Sequence, residues 1–183
     1  TTGKCIFPCG ILNITFERKF NMIKKMKIPF ILLMFFSYLS AQGGFEFAQN
    51  VTVDGGQGNA YDLIFGFSPD ATDGFDDGTD VLAPPAPPPP AFDATLKWGD
   101  IRYYTKIVNG DSLDLIEHIW DIQLQYDTNN TINLTWDNTG WSDLGTFVLQ
   151  DAFGGALGID IDMTTEASLT LTDPNINTLK LIV

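Results

Sequence analysis

The sequence predicts an all-β fold, an antiparallel immunoglobulin-like β-sandwich, and three observations carry that expectation. From Trp98 onward, short runs rich in Ile, Leu, Val, Thr and aromatics alternate apolar with polar residues. Turn residues separate these runs at regular spacing, which is the pattern of sandwiches and barrels. Both cysteines, Cys5 and Cys9, lie ahead of a predicted export leader. The mature chain therefore has no disulfide framework, and a hydrophobic core between two facing sheets must hold it together.

Residues 1–21 show neither the periodicity nor the caps of a folded element and are expected to be an upstream or unstructured stretch. At Met22 the pattern becomes orderly. Lys24, Lys25 and Lys27 form a positive region, IPFILLMFFSYL an apolar one, and Ser40 and Ala41 a small-residue cleavage site. This is the three-part arrangement of a secretory signal peptide over 22–41. The apolar run of about a dozen residues is too short for an anchor, since a bilayer core needs roughly 20. The expectation is a secreted or cell-surface protein with no membrane insertion after cleavage.

Losing the leader changes the charge. Six of the 10 Lys and Arg residues but one of the 23 acids precede Gln42, leaving 4 basic and 22 acidic residues, formally −18. A field of that sign repels phosphate backbones and anionic lipid, so nucleic acid is not an expected partner. It suits solubility outside the cell or the binding of cations.

Within 42–97 the first expected strand is YDLIFGF, Tyr61 to Phe67. An Asp/Gly loop follows and runs into a proline tract, Pro84, Pro85 and Pro87 to Pro90, which favours polyproline II and is barred from a central strand. It is expected as an extended strap beside the domain. The module proper, 98–183, offers strands at RYYTKIV, WDIQLQY, TINLTW, TFVLQ, GIDIDM, SLTLT and TLKLIV. Trp120, Ile122, Leu124 and Tyr126 share one strand face, and Ile132, Leu134 and Trp136 share another. DSLDLIEHI, Asp111 to Ile119, hints at one helical turn. Because TLKLIV runs to Val183 without a stop, the module is expected to continue beyond it.

The run WDIQLQYDTNNTINLTWDNTG, followed by GTFVLQD, SLTLT and LKLIV, resembles immunoglobulin-like or fibronectin-type-III-like modules of exported bacterial surface proteins. There, a Trp-Asp strand is followed by an LTWD strand. Such modules occur in Bacteroidetes-like and marine bacteria beside dockerin-type repeats or type IX secretion sorting domains. The resemblance covers Asn59 to Val183. It implies secretion and surface assembly and carries over no catalytic residue; no dockerin repeat or sorting domain is present in the sequence.

Four groups of residues are candidates for chemistry. Asp70, Asp73, Asp76, Asp77 and Asp80, with Gly74 and Gly78 among them, offer the density of hard oxygen ligands that calcium takes. The spacing is not that of an EF-hand, because Val81 stands where the closing Glu belongs. A solvated acidic turn is the competing reading. Asp160 and Asp162, with Asp151 and Asp137, are the carboxylates a glycosidase would need, although a half-exposed strand has the same spacing. His118 is the only histidine, and neither a nucleophile elbow nor a phosphate loop accompanies it. Trp141, Tyr103 and Tyr104 lie partly outside the strand alternation and are candidates for stacking on sugar rings, against the commoner fate of burial.

These observations assemble no catalytic constellation. The expected function is a non-catalytic spacer, display or protein-interaction module of a larger exported protein, its partners other domains, surface proteins or glycans. A carbohydrate-binding module and part of a secreted hydrolase are the alternatives.

Overall fold

A computed structural model of the chain describes residues 47–56, 58–111, 113 and 116–183. The leader at 22–41 and residues 1–21 lie outside the described residues, as do Ser112, Asp114 and Leu115 of the DSLDLIEHI segment. No helix among the described residues is long and apolar enough to cross a membrane.

The fold is all-β. Among the described residues eleven strands follow in order: β1 Phe47–Asp54, β2 Ala60–Ser68, β3 Val81–Leu82, β4 Asp93–Trp98, β5 Ile101–Asn109 and β6 Ile119–Gln125, then β7 Ile132–Trp136, β8 Val148–Asp151, β9 Asp160–Asp162, β10 Ser168–Leu171 and β11 Thr178–Ile182. A 3₁₀ turn at Trp141–Asp143 is the one helical element among the described residues. Among the described residues of 111–119 no helix forms.

The strands form one curled mixed sheet in the order β10-β7-β1-β2-β5-β4-β6-β11-β8-β9, with β3 added beside β5. All its pairings are antiparallel except β2 with β5, which run parallel from Ile64↔Thr105 to Ser68↔Asn109. The purely antiparallel expectation is corrected at that pair. Parallel neighbours cannot be joined by a tight hairpin and need a long crossover. Here the crossover is the acidic loop, β3, the proline strap and β4.

The curl originates at β5. Tyr103 lies between Leu82 of β3 and Leu96 of β4, while Thr105 lies between Val81 of β3 and Ile64 of β2. β3 therefore follows one edge of β5, and β4 and β2 succeed each other along the other edge. Two leaves diverge from that edge, β2-β1-β7-β10 and β4-β6-β11-β8-β9. Their rings meet across the gap: Phe65 of β2 lies 5.5 Å from Trp120 of β6, and Phe47 of β1 lies 5.4 Å from Phe147.

At the far end, residues 163–167 cross from β9 to β10, joining the two ends of the strand order. Trp136 Nε1 donates to the carbonyls of Met163 (3.0 Å) and Glu166 (2.8 Å), and the Asn138 amide donates to Met163, Thr164 and Glu166. A short crossing with five hydrogen bonds holds the curl.

The apolar faces expected on β6 and β7 line the core, with Trp120, Ile122, Ile132 and Leu134 fully buried. Each such side chain contributes roughly 1.5–3 kcal/mol. Tyr126 sits at the margin and donates its hydroxyl to the Ile176 carbonyl (2.9 Å); burial, with Asp173 nearby, pushes its phenol up to about 12. Residues before Trp98 are integral to the sheet, since β1 lies between β2 and β7. At Gly66 a Cβ would stand 2.1 Å from the Phe47 carbonyl oxygen, so only glycine permits that approach of β1 to β2. The strap is fastened where the Gln125 amide donates to the carbonyls of Pro87 and Ala91.

Candidate functional site

The acidic loop is organised around a lysine. Lys106 projects from β5 with its ammonium fully buried. It donates to Asp80 Oδ2 (2.7 Å), Thr72 O (3.2 Å) and Ile107 O (2.9 Å), and to the Gly74 carbonyl. The Asp80 carboxylate is equally buried and also accepts the N–H groups of Ile107 and Asp76, both at 3.0 Å. A buried charge must be paired and hydrogen-bonded, and both partners meet that condition.

The five candidate calcium ligands therefore part company. Asp80 points inward to Lys106. Asp76 accepts both the N–H (2.6 Å) and the hydroxyl (2.8 Å) of Thr72, bonds that hold its carboxyl below the usual range despite partial desolvation. Asp70, Asp73 and Asp77 are exposed. Among the described residues no three His, Cys, Asp or Glu side chains are grouped to hold a metal ion. Millimolar calcium is expected to leave the melting temperature where chelator leaves it, because Lys106 supplies the cation at the loop's centre. A rise of several degrees would instead show an ion gathered by the exposed acids, since a ligand of the native state alone must stabilise it.

Three of the four candidate carboxylates, Asp137, Asp151 and Asp162, serve turns. Asp162 accepts the N–H (2.9 Å) and hydroxyl (2.6 Å) of Thr164, and Asp137 makes the same pair with Thr139; both are held below the usual range by these bonds. Asp160 accepts from the Gln150 amide (2.9 Å). Asp151 is fully buried and accepts four backbone N–H groups, from Phe153, Gly155, Leu157 and Ile159. Burial pushes its carboxyl up, and the four N–H groups together outweigh burial and hold it low. It organises the loop from 152 to 159.

The aromatic candidates separate by burial. Trp141 is 0% exposed and Tyr103 1%, so neither offers a face to a sugar ring. Trp141 starts the 3₁₀ turn and packs on Phe147 (4.6 Å) and edge-on to Phe65 (6.1 Å, 83°). Tyr104 is half-buried and stacked on Tyr61 (5.5 Å, 17°).

What the sequence did not disclose is a groove of about 820 Å³ at one end of the gap between the leaves. Its apolar lining includes Phe47, Phe67 and Phe147, with Ile116 (61% exposed) and Leu144 (63%) at its margin. His118 lies in its wall, stacked on Phe67 (5.1 Å, 13°) and Trp120 (5.9 Å, 25°), with Nε2 3.0 Å from the Asn109 carbonyl oxygen. A Cβ at Gly110 would stand 2.5 Å from that nitrogen, so glycine there makes room for the ring. One nitrogen is engaged and the ring is stacked on Phe67 and Trp120, so His118 shapes the wall of the groove. The charged side chains of the lining are Asp111 and Glu117, with no Lys or Arg among them. The legible signal was Ile116, an apolar residue outside any strand alternation and next to Glu117 and His118.

Compared with known proteins, the chain matches no family model, no curated protein and no solved structure.

Proposed function

We propose that residues 42–183 are a non-catalytic module of an exported or cell-surface protein, a sandwich of the immunoglobulin-like or fibronectin-type-III-like kind its motifs resemble, which works by binding a partner in the groove beside His118. The groove carries this reading. Its volume of about 820 Å³ falls within the range of binding clefts, roughly 300–1,000 Å³, and its exposed Ile116 and Leu144 gain by being covered. Of the carboxylates a hydrolase would need, Asp137, Asp151 and Asp162 accept bonds within turns and Asp160 accepts from the cross-strand Gln150 amide, while the His118 ring stacks on Phe67 and Trp120.

The test is amide NMR of the 42–183 protein against a library of short peptides and glycans. Shifts are expected at Phe47 to Gln49, Glu117 and Leu144 to Val148. Binders that shift only other surfaces, or turnover of a glycoside or ester substrate lost on Asp160→Asn, would overturn the reading.

A further inference from the structure

β1 pairs with β2 along its whole length, Phe47↔Phe67 to Asp54↔Ala60. On its other side it pairs with β7 only from Val51↔Trp136 to Asp54↔Asn133. Phe47–Asn50 is therefore a sheet edge that no strand among the described residues covers. Three of its residues, Phe47, Ala48 and Gln49, also line the groove. A bare edge presents unpaired N–H and C=O groups, the template an incoming strand needs. Four residues span about 13 Å, enough to register a short extended segment.

From this juxtaposition we infer that the groove takes an extended peptide as an added strand on the Phe47–Asn50 edge, with an apolar anchor against Phe67 and Phe147 and a basic residue toward Asp111 and Glu117. Charge selects the occupant. The two charged side chains of the lining are acidic, and the cations of the described residues, Lys97, Arg102, Lys106 and Lys180, are all outside it. The mature chain's excess of acid would in addition steer a cationic segment toward it. The inference rests on the groove being the binding surface and adds the occupant's backbone form and charge.

The probe is a capped, fluorescein-labelled hexapeptide alternating phenylalanine or valine with lysine, titrated against the 42–183 protein by anisotropy and by amide NMR. Binding is expected to shift Phe47, Ala48, Gln49 and Glu117. A glutamate-for-lysine analogue should bind at least tenfold more weakly, because like charges then face each other. An analogue N-methylated on alternate amides should lose binding, since it cannot join a sheet. Glu117→Lys, at an exposed position that leaves the fold intact, should weaken the lysine peptide by roughly tenfold. Raising salt from about 0.1 M to about 1 M should weaken it as well, as the Debye length falls from about 10 to about 3 Å.

Equal binding of the glutamate analogue in the groove would overturn the charge assignment and leave the groove as the binding surface. Undiminished binding of the N-methylated peptide would overturn strand addition. Dimerisation of the protein through the same edge, undisplaced by the peptide, would give the edge to a second copy. Absence of shifts in the groove with every library member and with this probe would remove the groove reading itself.

Discussion

Lys106→Met is expected to cost the folded protein about 3–5 kcal/mol, the cost of leaving a buried carboxylate without its partner. Asp80 is fully buried and its Oδ2 is 2.7 Å from the ammonium, so no water can replace the lost charge without opening the loop. The carbonyls of Thr72 and Gly74 lose their donor in the same step, and the acidic loop should loosen from β5. Urea unfolding of the 42–183 protein measures the effect. Lys97→Met is the control: its pair with Asp100 is 3.5 Å long and open to solvent, so the change should be no more than about 1 kcal/mol. The double variant Lys106→Met with Asp80→Leu should recover much of the loss, because an apolar pair of similar volume is often as stable as a buried ion pair. A loss below about 1 kcal/mol for Lys106→Met alone would mean that the pair is solvated in solution.

Trp141→Ala should cost a similar amount, about 3–5 kcal/mol, for removing a fully buried ring from between Phe65 and Phe147. Trp141→Phe should cost less than about 1.5 kcal/mol, since it keeps most of the packing and removes an indole N–H that has no hydrogen-bond partner. Phe153→Ala, at a position 72% exposed, should change little. Thermal unfolding followed by tryptophan fluorescence separates these outcomes. A stable Trp141→Ala variant would place the ring at the surface and restore it as a candidate sugar platform.

The two variants concern residues whose surroundings a reading of residue type alone does not supply. Five aspartates in a Gly-containing loop suggest a metal, yet the cation at the centre is a lysine from a strand more than twenty residues on. The reason is topological. A parallel β2–β5 pair needs a long crossover, and an acidic, turn-rich loop can pack on the sheet only if its inward charge is neutralised. Lys106, at a β5 position facing that loop, does this.

Taken alone, the sequence determined the all-β class and eight of the strands, because period-2 alternation is a local signal. In β6, Trp120, Ile122 and Leu124 are buried and Asp121 and Gln123 half-buried, as their spacing requires. β4 was illegible because Asp93 and Thr95 are buried along with Ala94 and Leu96; Arg102 satisfies both polar side chains, so the alternation disappears. β1 was hidden by the Gln-Asn stretch on its bare edge. Only the tertiary structure decided the parallel β2–β5 pair, the partner of Asp80, the burial of Trp141 and the groove between the leaves. Each of these joins residues distant in the chain, and alternation along a strand reports which face is apolar without reporting what that face meets.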